Sequence, residues 1–277
     1  MKTNNSIKNQ NDARKLFKSL GSCSHTFFHI LNREYGHIKR IEERASDPFA
    51  GGIYQQGYQC GMLWGSSLAI GAEAFRRYDD LDKAVGVTIK ATQHIMESFK
   101  KRTETIECYE ITNCDWSSKL SMAKYFITGK FLSCFTLAEE WAPEAIEAAE
   151  EGLAMEWTDL PKECISCASK VAKQMGASDE EVVMVAGFAG GLGLSGNACG
   201  ALSAAIWIKS LDRCRKSEKT SYKDPNSDIY FEKFYASTDY KIACDKITGR
   251  TFKTVEDHTE YIKNGGCDKL INALAQL

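Results

Sequence analysis

The chain has 277 residues, of which 43% are hydrophobic and 26% charged, and its formal net charge at pH 7 is −2. This composition is that of an ordinary globular protein, so it argues against wholesale disorder and against a coiled-coil rod. The near-neutral charge argues against a nucleic-acid or anionic-membrane partner, because either would require a basic surface. One count departs from the ordinary, the eleven cysteines.

The N-terminal twelve residues are polar and contain no hydrophobic segment of the kind that a secretory signal peptide requires. We therefore expect a cytoplasmic protein, in which cysteines stay reduced unless they act in catalysis or bind metal. The odd number of cysteines also fits poorly with a fully paired disulfide framework.

Two segments of the chain, each with its own glycine-rich stretch, have similar sequences. Residues 49–63 and 188–202 are identical at eight of fifteen positions, with a constant separation of 139 residues. Residues 106–112 and 242–248 match at a separation of 136 residues. The sequence therefore predicts two tandem repeats, residues 13–150 and 156–277.

The apolar residues of both repeats recur at helical spacing, for example Phe17, Leu20 and Phe27. No strand-rich stretch interrupts this pattern, so the sequence predicts an all-α fold of two tandem helical repeats related by a pseudo-twofold axis. Thr158 to Pro161 predicts a helix start with proline in the first turn, and Ser178 to Glu181 predicts a capping box.

Residues 182–208 contain no charged residue and are long enough to cross a membrane. Six glycines lie within this stretch, together with Ser195 and Asn197, and they would break a lipid-facing helix. We therefore predict a buried core segment rather than a membrane span. The polar residues 217–228 predict a surface loop.

Each repeat contains four cysteines in the same order, and the glycine-rich segment leads into the second of them. The two sets are Cys23, Cys60, Cys108 and Cys134 in the first repeat, and Cys164, Cys199, Cys244 and Cys267 in the second. Cys114, Cys167 and Cys214 have no counterpart in the other repeat. These three cysteines are predicted to lie outside the sets.

Four thiolates that converge on one point suit a metal ion or an iron–sulfur cluster, because soft sulfur ligands select such centres. Glycines beside the cysteines would let the backbone approach a bulky group closely. These candidate cofactor-binding glycines are Gly51, Gly52, Gly57, Gly61, Gly190, Gly191, Gly196 and Gly200. Cys60 and Cys199 are each predicted to lie at the start of an apolar helix, where backbone N–H groups can point at the sulfur atoms.

The cysteine pattern leaves other functions open. Pairs such as Cys60–Cys108 or Cys199–Cys244 could form the disulfides of a cluster-free redox protein or sensor. The cysteines could instead bind structural zinc, or they could merely pack in the core with no cofactor.

The order of the cysteines and glycines resembles the family of redox-active proteins named for its C-GCAxxG-C-C pattern. The closest stretch is residues 188–204, followed by Cys244 and Cys267. Members of that family usually contain one copy of the pattern, whereas this chain resembles two copies. Gly-Cys-Ala of the pattern is here Cys199-Gly-Ala, Ala204 replaces the final glycine, and the first repeat has Met62 in place of alanine.

The resemblance implies a helical fold and a redox role. A related domain occurs in split-Soret cytochromes, where it is taken to hold an iron–sulfur cluster beside the haems. The present sequence contains no Cys-x-x-Cys-His motif, which excludes a covalently attached c-type haem.

The sequence contains three further motifs. Gly191, Gly193 and Gly196 match a dinucleotide-binding fingerprint, but the first repeat lacks the middle glycine and no βαβ series surrounds the motif. Cys164 and Cys167 form a CxxC pair, of which we assign Cys164 to the second set.

The third motif is the pair His25 and His29, one helical turn apart, which is a spacing that can bind zinc. The second repeat has no matching histidines, so we predict a partly exposed pair on an amphipathic helix.

The sequence thus favours a redox protein that holds an iron–sulfur cluster through one or both cysteine sets. It would pass electrons to a redox partner protein, either as a monomer that imitates a dimer or as a homo-oligomer. No nucleic-acid partner and no membrane insertion are expected.

Overall fold

The computed structural model describes residues 11–216 and 227–277, and in this part of the chain every regular element is a helix. The first half contains helices α1 (Ala13–Leu20), α2 (Cys23–Glu34), α3 (Arg40–Arg44), α4 (Gly61–Arg77), α5 (Leu81–Thr103), α6 (Cys108–Thr112), α7 (Lys119–Ile127) and α8 (Phe131–Ala154). The second half contains α9 (Cys167–Gln174), α10 (Asp179–Met184), α11 (Gly200–Arg215), α12 (Ser227–Ala236), α13 (Cys244–Thr248), α14 (Val255–Lys263) and α15 (Asp268–Ala275). The all-α prediction is confirmed.

Side-chain caps fix the starts of the helices that matter for the cysteines. The Ser22 hydroxyl accepts a hydrogen bond from the backbone of His25, and the Ser166 hydroxyl accepts one from the backbone of Ser169. These bonds start α2 at Cys23 and α9 at Cys167, because a capped N–H group no longer needs solvent. The capping box predicted at Ser178 is present.

The helix start predicted at Thr158 is wrong. Residues 155–166 are turns and irregular chain, and the next helix begins only at Cys167. The indole of Trp157 donates to the carbonyl of Gly152, and Lys90 pairs with Asp159 at 2.9 Å. These contacts hold the segment against neighbouring helices in a non-helical path.

Residues 182–208 form a buried core segment, as predicted. They comprise the end of α10, a 3-10 turn at Ala186–Phe188, a glycine-rich loop and the first half of α11. No helix among the described residues has the length and hydrophobicity needed to cross a membrane. Most of the loop predicted at residues 217–228 lies outside the described residues.

The two halves pack together with reciprocal contacts. Helix α3 of the first half packs on α11 of the second, and α10 of the second half packs on α4 of the first. Phe49 and Phe188, which are equivalent in the repeat, meet edge to face at 5.5 Å, and Trp64 contacts both rings. Equivalent residues that touch each other must lie beside the symmetry axis, so a pseudo-twofold axis passes near this aromatic cluster.

We expect Phe188→Ala to destabilise the protein by about 3–5 kcal/mol, because it removes a fully buried ring at the contact between the halves. The free energy of urea unfolding measures this change. Leu120→Ala is the matched control, since Leu120 is exposed and its loss costs about 0.5 kcal/mol or less. Equal effects of the two substitutions would contradict the assigned packing.

Candidate functional site

Two glycine-rich loops with the same unusual backbone carry the second cysteine of each half. We call residues 51–57 and 190–196 the glycine loops. Their backbone has positive φ at Gly51, Gly52, Ile53, Tyr54, Gln55 and Gly57, and at the equivalent Gly190, Gly191, Leu192, Gly193, Leu194 and Gly196. A left-handed residue other than glycine costs about 1–2 kcal/mol, so each loop stores strain that the surrounding packing must offset.

The sharp turn brings the two ends of each glycine loop close together. The amide of Gly57 donates to the carbonyl of Gly51, and that of Gly196 donates to the carbonyl of Gly190, both at 2.9 Å. At Gly191 an added Cβ would lie 2.6 Å from the carbonyl oxygen of Asn197. Only glycine therefore fits at this position.

Backbone hydrogen bonds tie the second cysteine of each half to the third. The Cys60 amide donates to the carbonyl of Ile106 and the Cys108 amide donates to that of Tyr58, each at 2.7 Å. In the second half, the amides of Cys199 and Cys244 make the same two bonds at 2.9 and 2.7 Å. Each pair of bonds forms a short antiparallel bridge that places two cysteines side by side.

The four cysteines of the first set line one cavity of about 300 Å³. Cys23 and Cys108 begin α2 and α6, Cys60 immediately precedes α4, and Cys134 lies in the first turn of α8. The rest of the wall is mainly aromatic and aliphatic, namely Phe17, Met62, Ile111, Trp116, Tyr125, Phe126, Phe131, Phe135 and Leu137. Four helix N-termini therefore converge on one apolar space, and their free N–H groups favour negative sulfur.

The second half also gathers four cysteines, but the first of them is Cys167 and not Cys164. Cys167 and Cys244 begin α9 and α13, and Cys199 and Cys267 immediately precede α11 and α15. These four thiols line a space of only about 10 Å³, roughly the size of one water-sized probe. We refer below to Cys167, Cys199, Cys244 and Cys267 as the second set.

Cys164 lies elsewhere, which corrects the sequence assignment. Its thiol contacts Gly86 of α5, where an added Cβ would come within 2.7 Å of the sulfur, and it donates to the Pro161 carbonyl at 3.4 Å. The signal that identifies Cys167 is a Ser-Cys pair, since Ser22–Cys23 and Ser166–Cys167 each form a helix cap followed by its first residue. The segment between the first cysteine and the glycine loop is five residues shorter in the second half, which obscured this match.

Backbone amides point at the sulfur atoms in the same way in both halves. The amide of Gly51 bonds to Cys23 and that of Gly190 bonds to Cys167. The amides of Met62 and Ala201 make the corresponding bonds to Cys60 and Cys199. Amide donors stabilise a thiolate and, where sulfur binds iron, they raise the reduction potential of the cluster.

Two thiols of the first set, Cys23 and Cys60, are hydrogen-bonded to each other. A hydrogen bond from Cys60 lowers the pKa of Cys23 below its ordinary value, and the amides of Gly51 and Ser24 add to this effect. The same bond raises the pKa of Cys60 well above its ordinary value, with a further contribution from burial. Cys23 is therefore the thiol of the first set that ionises most readily.

Burial raises the pKa of every other thiol in the two sets. The pKa rises to about 11 at Cys134 and to about 12 at Cys199 and Cys267. Those of Cys108, Cys167 and Cys244 are also raised, again mainly by burial. These thiols keep their protons at neutral pH, so a cation that binds to the sulfur atoms would have to displace the protons.

A tyrosine is paired with the fourth cysteine in both halves. The Tyr125 hydroxyl and the Cys134 sulfur are hydrogen-bonded at 3.2 Å. In the second half Tyr261 lies beside Cys267 and partly opposes the rise of its pKa, while the Tyr261 hydroxyl donates to the Gly266 carbonyl at 3.1 Å. Sequence analysis missed this pair, although the 136-residue offset of the third cysteines continues through it. The same offset aligns Trp116 with Phe252, and these rings lie 5.0 and 5.1 Å from their tyrosines.

The first set has the chemistry and the space for a group of several atoms. Its donors are soft thiols, and the indole of Trp116, which lines the same cavity, lies beside the Cys108 thiol and partly opposes the rise of its pKa. Within residues 11–216 and 227–277, no three His, Cys, Asp or Glu side chains are arranged to hold a single metal ion. The first cavity has room for a group of several atoms, whereas the second set surrounds only about 10 Å³.

The candidate glycines outside the glycine loops, Gly61 and Gly200, lie at the starts of α4 and α11. Gly61 lies against the Cys23 sulfur, which an added Cβ would approach to 2.6 Å, and Gly200 packs directly against the backbone of Phe188. Both positions begin a helix immediately after a cysteine of the sets. They permit close packing next to the thiols.

The remaining motifs lie away from both cavities. Cys114 is buried beside Ser121, at 3.8 Å, and Cys214 is buried on α11. His25 and His29 are partly exposed, as expected. Nδ1 of His29 is hydrogen-bonded to Glu43 at 2.9 Å, whereas Nδ1 of His25 lies 3.6 Å from Asp47.

The glycines that match a dinucleotide fingerprint belong to a left-handed loop after a 3-10 turn. Residues 182–184 before that turn lie in helix α10 rather than in a strand. The dinucleotide-binding fingerprint requires a strand at this place, where the chain has a helix and a 3-10 turn instead.

Two hydrogen bonds, which we call the clamp, hold helix α14 beside the second cysteine set. Nδ1 of the buried His258 bonds to the Ile165 carbonyl at 3.1 Å, and the Ile165 amide donates to the Thr259 hydroxyl at 3.1 Å. These bonds hold α14 against the start of α9, next to Cys167. The position equivalent to His258 in the first half is Met122, which cannot make such a bond.

Two segments of the chain match a family of known proteins. Residues 22–148 and 163–277 each match the model of the C_GCAxxG_C_C family, described as “Putative redox-active protein”. The two matches agree with the predicted tandem duplication and cover most of the chain. No curated protein and no solved structure matches the chain significantly.

We expect Gly191→Ala to destabilise the protein by about 2 kcal/mol more than Gly36→Ala, as measured by urea unfolding. Both glycines have strongly positive φ, +86° and +79°, but only at Gly191 does an added Cβ meet the backbone. Similar losses at the two sites would show that the glycine loop tolerates a side chain.

Stability of the metal-free protein should fall as the pH drops from about 6.5 to about 4. Burial lowers the pKa of His258 to about 4, whereas an unfolded histidine titrates near 6.5. The unfolded chain therefore binds the proton first, and the difference corresponds to about 3 kcal/mol of stability that is present above pH 6.5. Urea unfolding at a series of pH values should show this slope, and His258→Gln should flatten it; an unchanged slope in the variant would contradict the assignment.

Proposed function

Because the chain belongs to the C_GCAxxG_C_C family, we propose that it is a redox protein whose first cysteine set holds an iron–sulfur cluster. We further propose that it exchanges electrons with a partner protein. The observation that carries this proposal is the convergence of Cys23, Cys60, Cys108 and Cys134 on one apolar cavity of about 300 Å³.

The residues around the cavity are suited to hold such a group. The four thiols supply ligands of the type that iron–sulfur clusters use, and a bound cluster would accept and release single electrons. The amides of Gly51 and Met62 would donate to the sulfur atoms of Cys23 and Cys60. The aromatic lining would exclude water, which together with these bonds sets the reduction potential.

The two cysteine sets support different roles. The second set surrounds about 10 Å³ and is held by the bonds of His258 and Thr259 to Ile165. A group of several atoms would force these thiols apart and break the clamp. We therefore propose one cluster per chain, in the first half, and a packing role for the second set.

A second candidate is a thiol–disulfide function at Cys23 and Cys60. Their hydrogen bond and the lowered pKa of Cys23 favour a nucleophilic thiolate beside a second thiol. Oxidation of this pair would release two protons and two electrons to an external disulfide, which would be reduced to two thiols. This function needs no cluster.

Anaerobic purification followed by visible absorbance, iron and acid-labile sulfide analysis tests the proposal. We expect a coloured protein with one cluster per chain. Cys108→Ser should remove most of the colour and iron, whereas Cys199→Ser should leave both nearly unchanged. Cys214→Ser is a matched control, because Cys214 is buried but lines neither cavity.

The alternatives give different results. A colourless protein without iron, in which mild oxidation links Cys23 to Cys60, would overturn the cluster and support the thiol pair. Stoichiometric zinc would assign the cysteines to a structural metal site. Loss of iron in Cys199→Ser but not in Cys108→Ser would place the cluster in the second half.

A further inference from the structure

Helix α7, beside the first cysteine set, exposes large apolar side chains. Leu120 is 81% exposed, Ile127 85% and Phe126 55%. Leu132, at the start of α8, is also exposed. We call Leu120, Phe126, Ile127 and Leu132 the α7 face.

Helix α14 of the second repeat, which is equivalent to α7 residue by residue, has no such face. Glu256 replaces Leu120 and Lys263 replaces Ile127. Ile262, the counterpart of Phe126, is buried with 1% of its surface exposed. The apolar face is therefore specific to the half that contains the large cavity, and it is not required by the fold of the repeat.

The α7 face borders a basic groove. A depression of about 330 Å³ is lined by Leu120, Lys124, Lys130 and Tyr125, together with Asn113, Ser118 and Ser121. Helix α7 contains Lys119 and Lys124 but no acidic residue, whereas α14 contains three acidic residues. Within the described part of the chain, neither Lys124 nor Lys130 forms an ion pair.

The side chain of Tyr125 lies between this groove and the cysteines. Tyr125 lines both the outer groove and the inner cavity, and its hydroxyl is hydrogen-bonded to Cys134 at 3.2 Å. Phe126 likewise belongs to the α7 face and lines the inner cavity. A protein bound at the groove would therefore lie within two side-chain layers of the first set.

We infer that the α7 face and its basic groove are the docking site of a small acidic electron-carrier protein, an inference that rests on the proposed redox function. The lysines select an acidic surface and accelerate encounter, and the apolar centre supplies contact area of the modest size typical of transient redox complexes. A second copy of this chain fits less well, because a twofold contact between two α7 faces would bring the like-charged Lys124 and Lys130 of both copies together.

The experiment measures binding of the purified full-length chain to an acidic ferredoxin by NMR titration. We expect an affinity that falls as salt rises, and a loss of about tenfold or more in Leu120→Glu/Ile127→Lys, which copies the second repeat onto the first. Glu256→Ala/Lys263→Ala on α14 is the matched control and should bind normally. Cytochrome c, a basic carrier, should not bind.

Equal binding by the two double variants, or equal binding of the acidic and basic carriers, would overturn the docking site. Variant-sensitive binding to anionic phospholipid vesicles without binding to ferredoxin would assign the face to a membrane surface, and variant-sensitive self-association would assign it to a second copy.

Iron analysis of the same samples separates the docking proposal from the cluster proposal. A protein that contains the cluster but does not bind ferredoxin refutes only the docking site, and a protein that binds ferredoxin but contains no iron refutes only the cluster.

Discussion

The left-handed backbone of the glycine loops is the constraint on which both cysteine sets depend. Gly52 and Gly191 have φ near +80°, and the chain passes so close to them that no Cβ fits. This turn sends the chain back on itself, so that the residue before Cys60 or Cys199 can pair with the segment before the third cysteine. The strain of the non-glycine left-handed residues is offset by this bridge and by the buried helices that follow it.

Duplication preserved this backbone and changed what surrounds it. The bridges, the amide bonds to sulfur and the tyrosine paired with the fourth cysteine occur in both halves. The second half has His258 and Thr259, whose bonds to Ile165 hold α14 against the start of α9. The first half has Met122 at the position of His258, and its α7 leaves an aromatic cavity and an exposed apolar face. One fold thus holds an open set of thiols and a closed one.

Sequence reasoning found the features that depend on local chemistry. Glycines at fixed positions indicate a backbone conformation that other residues rarely adopt. The repeated cysteines beside them indicate that the chain consists of two similar halves. The CxxC pair offers two candidates, Cys164 and Cys167, and the linear spacing along the chain favours Cys164, although Cys167 is the one that lines the cavity. A helix cap decides between them, since Ser166 starts α9 at Cys167 and leaves Cys164 packed against Gly86.

The sequence by itself determined the helical class, the duplication, the glycine loops and seven of the eight cysteines that line the cavities. These follow from periodicity, backbone restrictions and internal comparison, all of which act over short distances along the chain. Only the tertiary structure decided that the first cavity is open and the second closed. That difference depends on contacts between α14 and the segment before α9, which are more than 90 residues apart in sequence. Such long-range packing leaves no periodic trace in the chain, so it could be recognised only after folding had brought these elements together.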